Sequence, residues 1–224
     1  MLHRSALRLL LVSAILLFTV STYAQKISWS SGEDFAFIQG ISKLNVEYDF
    51  SQMTVAEGTE SAFLEERKTE INKDKPGEGD EFVTTWNQAK ITKYPKHFEE
   101  TFNKEFKKGD VQISSGSDAK YTVMITLLNV KTGKGSAWGK KPAELDFEIR
   151  IVETANKNTV LAKGTIENVK GEVKAPKGSG WIPGGAGSVM STTAHFVNKE
   201  VTNRLAESYE LVAIALAKHI RKKM

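Results

Sequence analysis

The last quarter of the chain constrains the fold most. Val201, Leu205, Val212, Leu216 and Ile220 recur at a 3.6-residue period, and Ala206, Tyr209, Ala213 and Ala217 thicken the stripe. A helix this apolar on one side needs a matching apolar surface. Asn198 is placed to cap its start. Arg221, Lys222 and Lys223 fall where a helix C-terminus favours cations.

Three upstream segments supply the surface. Tyr121, Val123, Ile125 and Leu127 alternate with Thr122, Met124, Thr126 and Leu128, which reads as a central strand covered on both faces at one end. Leu145, Phe147, Ile149 and Ile151 alternate with Glu144, Asp146, Glu148 and Arg150, a strand with one buried face. Thr159 to Val169 is the third, with Gly164 read as a bulge. Short turns between them predict an antiparallel meander.

An earlier strand is predicted at Leu44 to Phe50. Helices follow at Thr59 to Lys75, from about Glu81 to Lys90, and from Pro95 to Gly109 with Phe98, Phe102 and Phe106 as an aromatic ridge. The order is strand, helices, three strands, long helix. It predicts an α+β two-layer sandwich: a mostly antiparallel sheet of about four strands, packed by helices that include a long C-terminal one. The helical crossover makes the first strand a parallel neighbour of the second.

Residues 1–24 read as a secretory signal peptide: a basic start at His3, Arg4 and Arg8, an apolar run from Leu9 to Val20, and Thr22 and Ala24 before the cut. The run is shorter than the roughly 20 residues of a membrane span. Residues 25–224 then form a single domain, exported to the periplasm or beyond, with no integral span after cleavage. Without cysteine there is no disulfide scaffold, thiolate metal site or lipidated N-terminal cysteine. Lysine and arginine number 31 against 27 acidic residues; without Arg4 and Arg8 the balance is 29 to 27, too even to argue for a nucleic-acid partner.

One internal echo carries the binding-site expectation. Lys134-Gly135-Ser136-Ala137-Trp138 is matched by Lys177-Gly178-Ser179-Gly180-Trp181. Alternate strands of a meander point the same way, so both loops leave one end of the sheet. Lys134, Ser136, Trp138, Lys177, Ser179 and Trp181 are thus the predicted ligand-binding residues, with tryptophan as stacking surface and lysine as mobile cation for a glycan, an anionic polymer or a protein partner. No catalytic, cofactor or metal site is predicted. His97, His195 and His219 are isolated, hydrolase and phosphate-loop motifs are absent, and Glu144, Asp146 and Glu148 read as a solvated strand face.

The leader, the Val46-Glu47-Tyr48-Asp49-Phe50-Ser51 strand, the Phe102-Asn103 helix and the Tyr209-Glu210-Leu211-Val212-Ala213 helix together resemble small exported proteins of Gram-negative bacteria. The layout is similar to α/β domains of envelope assembly and secretion-accessory proteins: the curli-secretion lipoprotein family and the N-terminal domain of the Tol-system β-propeller protein. The chain departs from the former in lacking the lipidated cysteine. The resemblance implies a non-enzymatic binding or assembly module of the cell envelope, with a protein, glycan or anionic polymer as partner. A glycan- or peptidoglycan-acting hydrolase and a subunit that self-associates through an open sheet edge are the alternatives.

Overall fold

The computed structural model describes residues 25–106, 110–136, 139–171 and 193–224. The signal-peptide expectation for 1–24 lies outside them. No helix among the described residues is long and apolar enough to cross a membrane.

The strands are β1 (Ser28–Ser31), β2 (Lys43–Asp49), β3 (Thr54–Val55), β4 (Gly58–Thr59), β5 (Gln112–Ser114), β6 (Tyr121–Lys131), β7 (Lys134–Ser136), β8 (Gly139–Lys141), β9 (Ala143–Glu153) and β10 (Asn156–Gly171). The helices are α1 (Glu60–Asp74), α2 (Glu78–Gln88), α3 (Tyr94–Lys104) and α4 (Thr193–Lys223). Eight strands form one sheet along β1-β10-β9-β6-β2-β5, with β3 on β6 and β4 on β3; β7 and β8 form a separate hairpin.

The sheet corrects the expected four-stranded, mostly antiparallel one: among the described residues it has eight strands and is mixed. The meander β6-β9-β10 is antiparallel, whereas β2 runs parallel to β5 and β6 and β3 runs parallel to β6. Three helices carry the chain from β2 back to the same end of the sheet, so β2 and β6 must share a direction. The strands missed in sequence are two to four residues long, too short for alternation to register.

Helix α4 packs its stripe against the sheet. Leu205, Tyr209, Val212, Leu216 and Ile220 have no exposed surface, nor do Leu145, Phe147, Ile149 and Ile151 of β9. The helix starts before Asn198, which lies inside it and is not its cap. Tyr94 of α3 stacks on Tyr209, with centroids 5.1 Å apart at 8°. Asn103 ends α3 by imitating a strand: its amide donates to Ile113 O at 2.9 Å and accepts from Ile113 N at 2.8 Å. This covers the outer edge of β5.

Gly164 stays in register with β9, from Lys163 to Ile166, while the ladder to β1 shifts beside it: Trp29 lies opposite Gly164 and Ser31 opposite Lys163, so the extra residue is in β1. A Cβ there would lie 2.9 Å from Cε3 of Trp29 and 2.8 Å from Cγ2 of Ile27. Glycine is present because β1 lies down on it. The register also breaks at Leu127/Asn129 in β6 and at Ile166/Val169 in β10, on both sides of Asp146. The Asp146 carboxylate accepts from Asn129 Nδ2 at 3.1 Å and from Asn168 N at 2.8 Å, holding Asn168 at φ 53°.

Candidate functional site

β6 and β10, the strands that the two echoed stretches follow in sequence, end on either side of β9. Lys131 of β6 and Lys170 of β10 both lie opposite Glu144 of β9, with Nζ atoms 3.5 and 3.8 Å from its carboxylate. The first loop continues as the β7–β8 hairpin, with Lys134 opposite Lys141 and Ser136 opposite Gly139. Trp138, Lys177, Ser179 and Trp181 lie outside the described residues, so of the predicted site the fold places the backbone of Lys134 and Ser136 and the strand ends on which both loops stand.

The acidic row on β9 is engaged in the sheet. Glu144 faces Lys131 and Lys170, Asp146 holds the two bulges, and Glu148 pairs with Lys163 at 2.7 Å and Arg150 at 3.2 Å. His97 Nδ1 meets Glu210 at 2.6 Å, linking α3 to α4. Among the described residues no three His, Asp or Glu side chains come together as a metal site.

A cleft of about 820 Å³ opens along β2. Its floor is Val46, Tyr48 and Phe50, one wall is Pro95, Lys96 and Glu99, and Ser115 and Gly116 close the end. Three local features build it. First, β5 covers β2 only over Lys43–Asn45, so from Val46 onward β2 meets no strand on that side among the described residues. Gln112 N donates to Ser42 O at 2.9 Å. Alternation along an extended strand then turns the N–H and C=O of Val46 and Tyr48 to that side; Val46 is buried there and Tyr48 is half-buried.

Second, α2 and α3 are not separate helices with a break before Pro95. A π-helical turn, Ala89–Lys93, joins them. The buried positions show why: Phe82, Trp86 and Ala89 step by four and three, then the next step, to Tyr94, is five before Phe98 and Phe102 resume the four-residue step. The extra residue throws Ile91 outward onto the cleft rim, where it is 73% exposed. Such insertions recur at functional sites. This phase slip was readable in the sequence, had the two stripes been compared.

Third, Glu99 ties the cleft together. Ser115 Oγ donates to its Oε1 at 2.6 Å and Tyr48 OH donates to the same atom at 3.3 Å. Burial, with the Glu99 charge adding to it, pushes the Tyr48 phenol well above its usual value, so it stays a donor.

A second hollow, about 260 Å³, lies at the opposite edge of the sheet between β1 and the end of α4. Trp29 and His219 face each other there, centroids 5.0 Å apart, and His219 Nε2 lies 3.2 Å from Glu33 O. Burial lowers the His219 pKa, with Lys223 and Lys222 acting in the same direction against the Glu33 carbonyl and carboxylate. The unfolded chain therefore takes up this proton first. The contribution of His219 to stability is intact above its unfolded value of 6.5 and is lost as pH falls through the lower folded value. Melting temperatures between pH 7.5 and about pH 5 are expected to fall less steeply in His219→Phe than in the parent; parallel slopes would show that His219 does not titrate differently on folding.

No protein-family model matches the chain, and no curated protein does. Two solved structures of dodecameric PelC from Paraburkholderia phytofirmans are similar in outline. One, a point variant, has 14% identity and a TM-score of 0.28, covering 82% of this chain and 95% of that one. The other has 11% identity and a TM-score of 0.30, covering 81% and 97%. Superpositions of that quality say nothing about what this chain binds.

Proposed function

We propose that this chain is a non-enzymatic binding module of the cell envelope, exported through its leader, which takes an extended segment of a partner protein along the free edge of β2. The observation that carries the reading is the position of that edge. Val46 is only 1% exposed, so the part of the edge that opens into the cleft begins at the half-buried Tyr48, beside the exposed Ile91. An added strand gains main-chain hydrogen bonds from the edge and side-chain contacts from the wall. The signal-peptide pattern and the resemblance to envelope assembly domains support the same reading.

The test is a photo-crosslinking amino acid at Ile91 or, as control, at Val160, which is 43% exposed on β10. Crosslinking in the intact envelope is expected at 91 and not at 160. In the isolated complex, amide exchange at Tyr48 is expected to slow. A partner that leaves the Tyr48 amide exchanging as in the free chain overturns the proposal. A product consisting of two copies of this chain replaces it with self-association.

A further inference from the structure

The hollow between β1 and the end of α4 has the chemistry of a second, independent site, and we infer that it binds one carboxylate-bearing sugar ring, a uronate unit of an anionic glycan. Lys26 reaches its rim from the segment before β1, and Lys218 and Lys222 reach it from α4. Most lysines and arginines whose side chains are described have a carboxylate partner, as Lys43, Lys68, Lys90, Lys157 and Lys163 do. These three have none among the described residues. Cations in the last turn of a helix are ordinary neutralisation of its dipole. That accounts for Lys222 and Lys223, but not for Lys26, which belongs to another element, nor for Lys218, a turn earlier. Lys218 and Lys222 are like charges four apart on one helix face, a pair that repels until an anion lies between them. One carboxylate, that of Glu33, also lines the hollow, against the three lysines.

Trp29 and His219 give the hollow its second property. They form an aromatic wall beside the lysines, the two rings tilted 42° to each other, and the Trp29 indole N–H is buried with no acceptor among the described residues. A charged rim attracts any anion, whereas an aromatic wall selects one with an apolar face to lay against it. The volume is below the roughly 300 Å³ at which pockets for drug-sized ligands begin, so one ring enters and the rest of a polymer stays outside. The site lies at the β1 edge of the sheet and the β2 cleft at the other, so one chain can hold a polymer and a protein together.

The experiment titrates the full chain with oligogalacturonate, galactose and inorganic phosphate, reading tryptophan fluorescence in the parent and in Trp29→Phe. Saturable binding of oligogalacturonate is expected, with the signal lost in Trp29→Phe, and with galactose and phosphate each weaker by about tenfold or more. Lys218→Gln with Lys222→Gln is expected to weaken binding about tenfold, while Lys73→Gln with Lys104→Gln, lysines elsewhere on the surface that have no carboxylate partner among the described residues either, stays within about twofold. Lys26→Gln tests the same rim from a different element, should the α4 pair disturb the helix. Absence of saturable binding, equal loss in the control pair, or phosphate or galactose binding as tightly as the uronate overturns the assignment.

Discussion

Leu216→Ala is expected to destabilise the fold by about 2–5 kcal/mol, the range for deleting a fully buried leucine side chain from a core that closes only partly over the cavity. Leu216 has no exposed surface and lies in the stripe that α4 presses onto the sheet, with Val212, Ala213, Ala217 and Ile220 equally covered around it. Denaturant unfolding followed by circular dichroism measures the loss, with the slope unchanged if the transition stays cooperative. A change within about 0.5 kcal/mol, the size expected of an exposed site, would mean that α4 is not docked there.

Gly171→Ala is the second large effect, expected to cost about 1–3 kcal/mol by overpacking. A Cβ at this position would sit 1.9 Å from Arg204 O and 2.6 Å from Ser208 Oγ, where α4 crosses the end of β10. The first neighbour is backbone, so relief requires the helix or the strand to move. Ser208 Oγ lies 3.3 Å from Val169 O and 3.4 Å from Arg204 O, so any shift loosens that contact as well. Gly58→Ala is the control, because its nearest neighbour is 3.7 Å away and its backbone is not left-handed. The same unfolding assay should show at least a clear difference between the two; equal stability would mean that α4 does not cross β10 at Gly171.

Both sites, the β2 cleft and the β1 hollow, come from elements that local sequence does not announce. Ile91 reads as one apolar residue in a basic stretch until the phase of Phe82 and Trp86 is set against that of Tyr94 and Phe98. The free edge of β2 exists because β5 stops after three residues, and β5 is too short to carry a period. Lys26 and Lys218 are 192 positions apart in sequence, and only the pairing of β1 with β10, beneath the end of α4, brings them to one rim.

What the sequence determined by itself is what periodicity can encode. The stripe from Val201 to Ile220, the alternation along β6 and β9, and the parallel placement of β2 follow from which residues must leave water and from how far the chain must travel to bring them together. The tertiary structure decided the rest. The number of strands, the bulges held by Asp146 and the glycine at 164 depend on neighbours distant in sequence, because hydrogen bonds and close contacts across a sheet are set by what lies alongside a strand rather than by the residues within it.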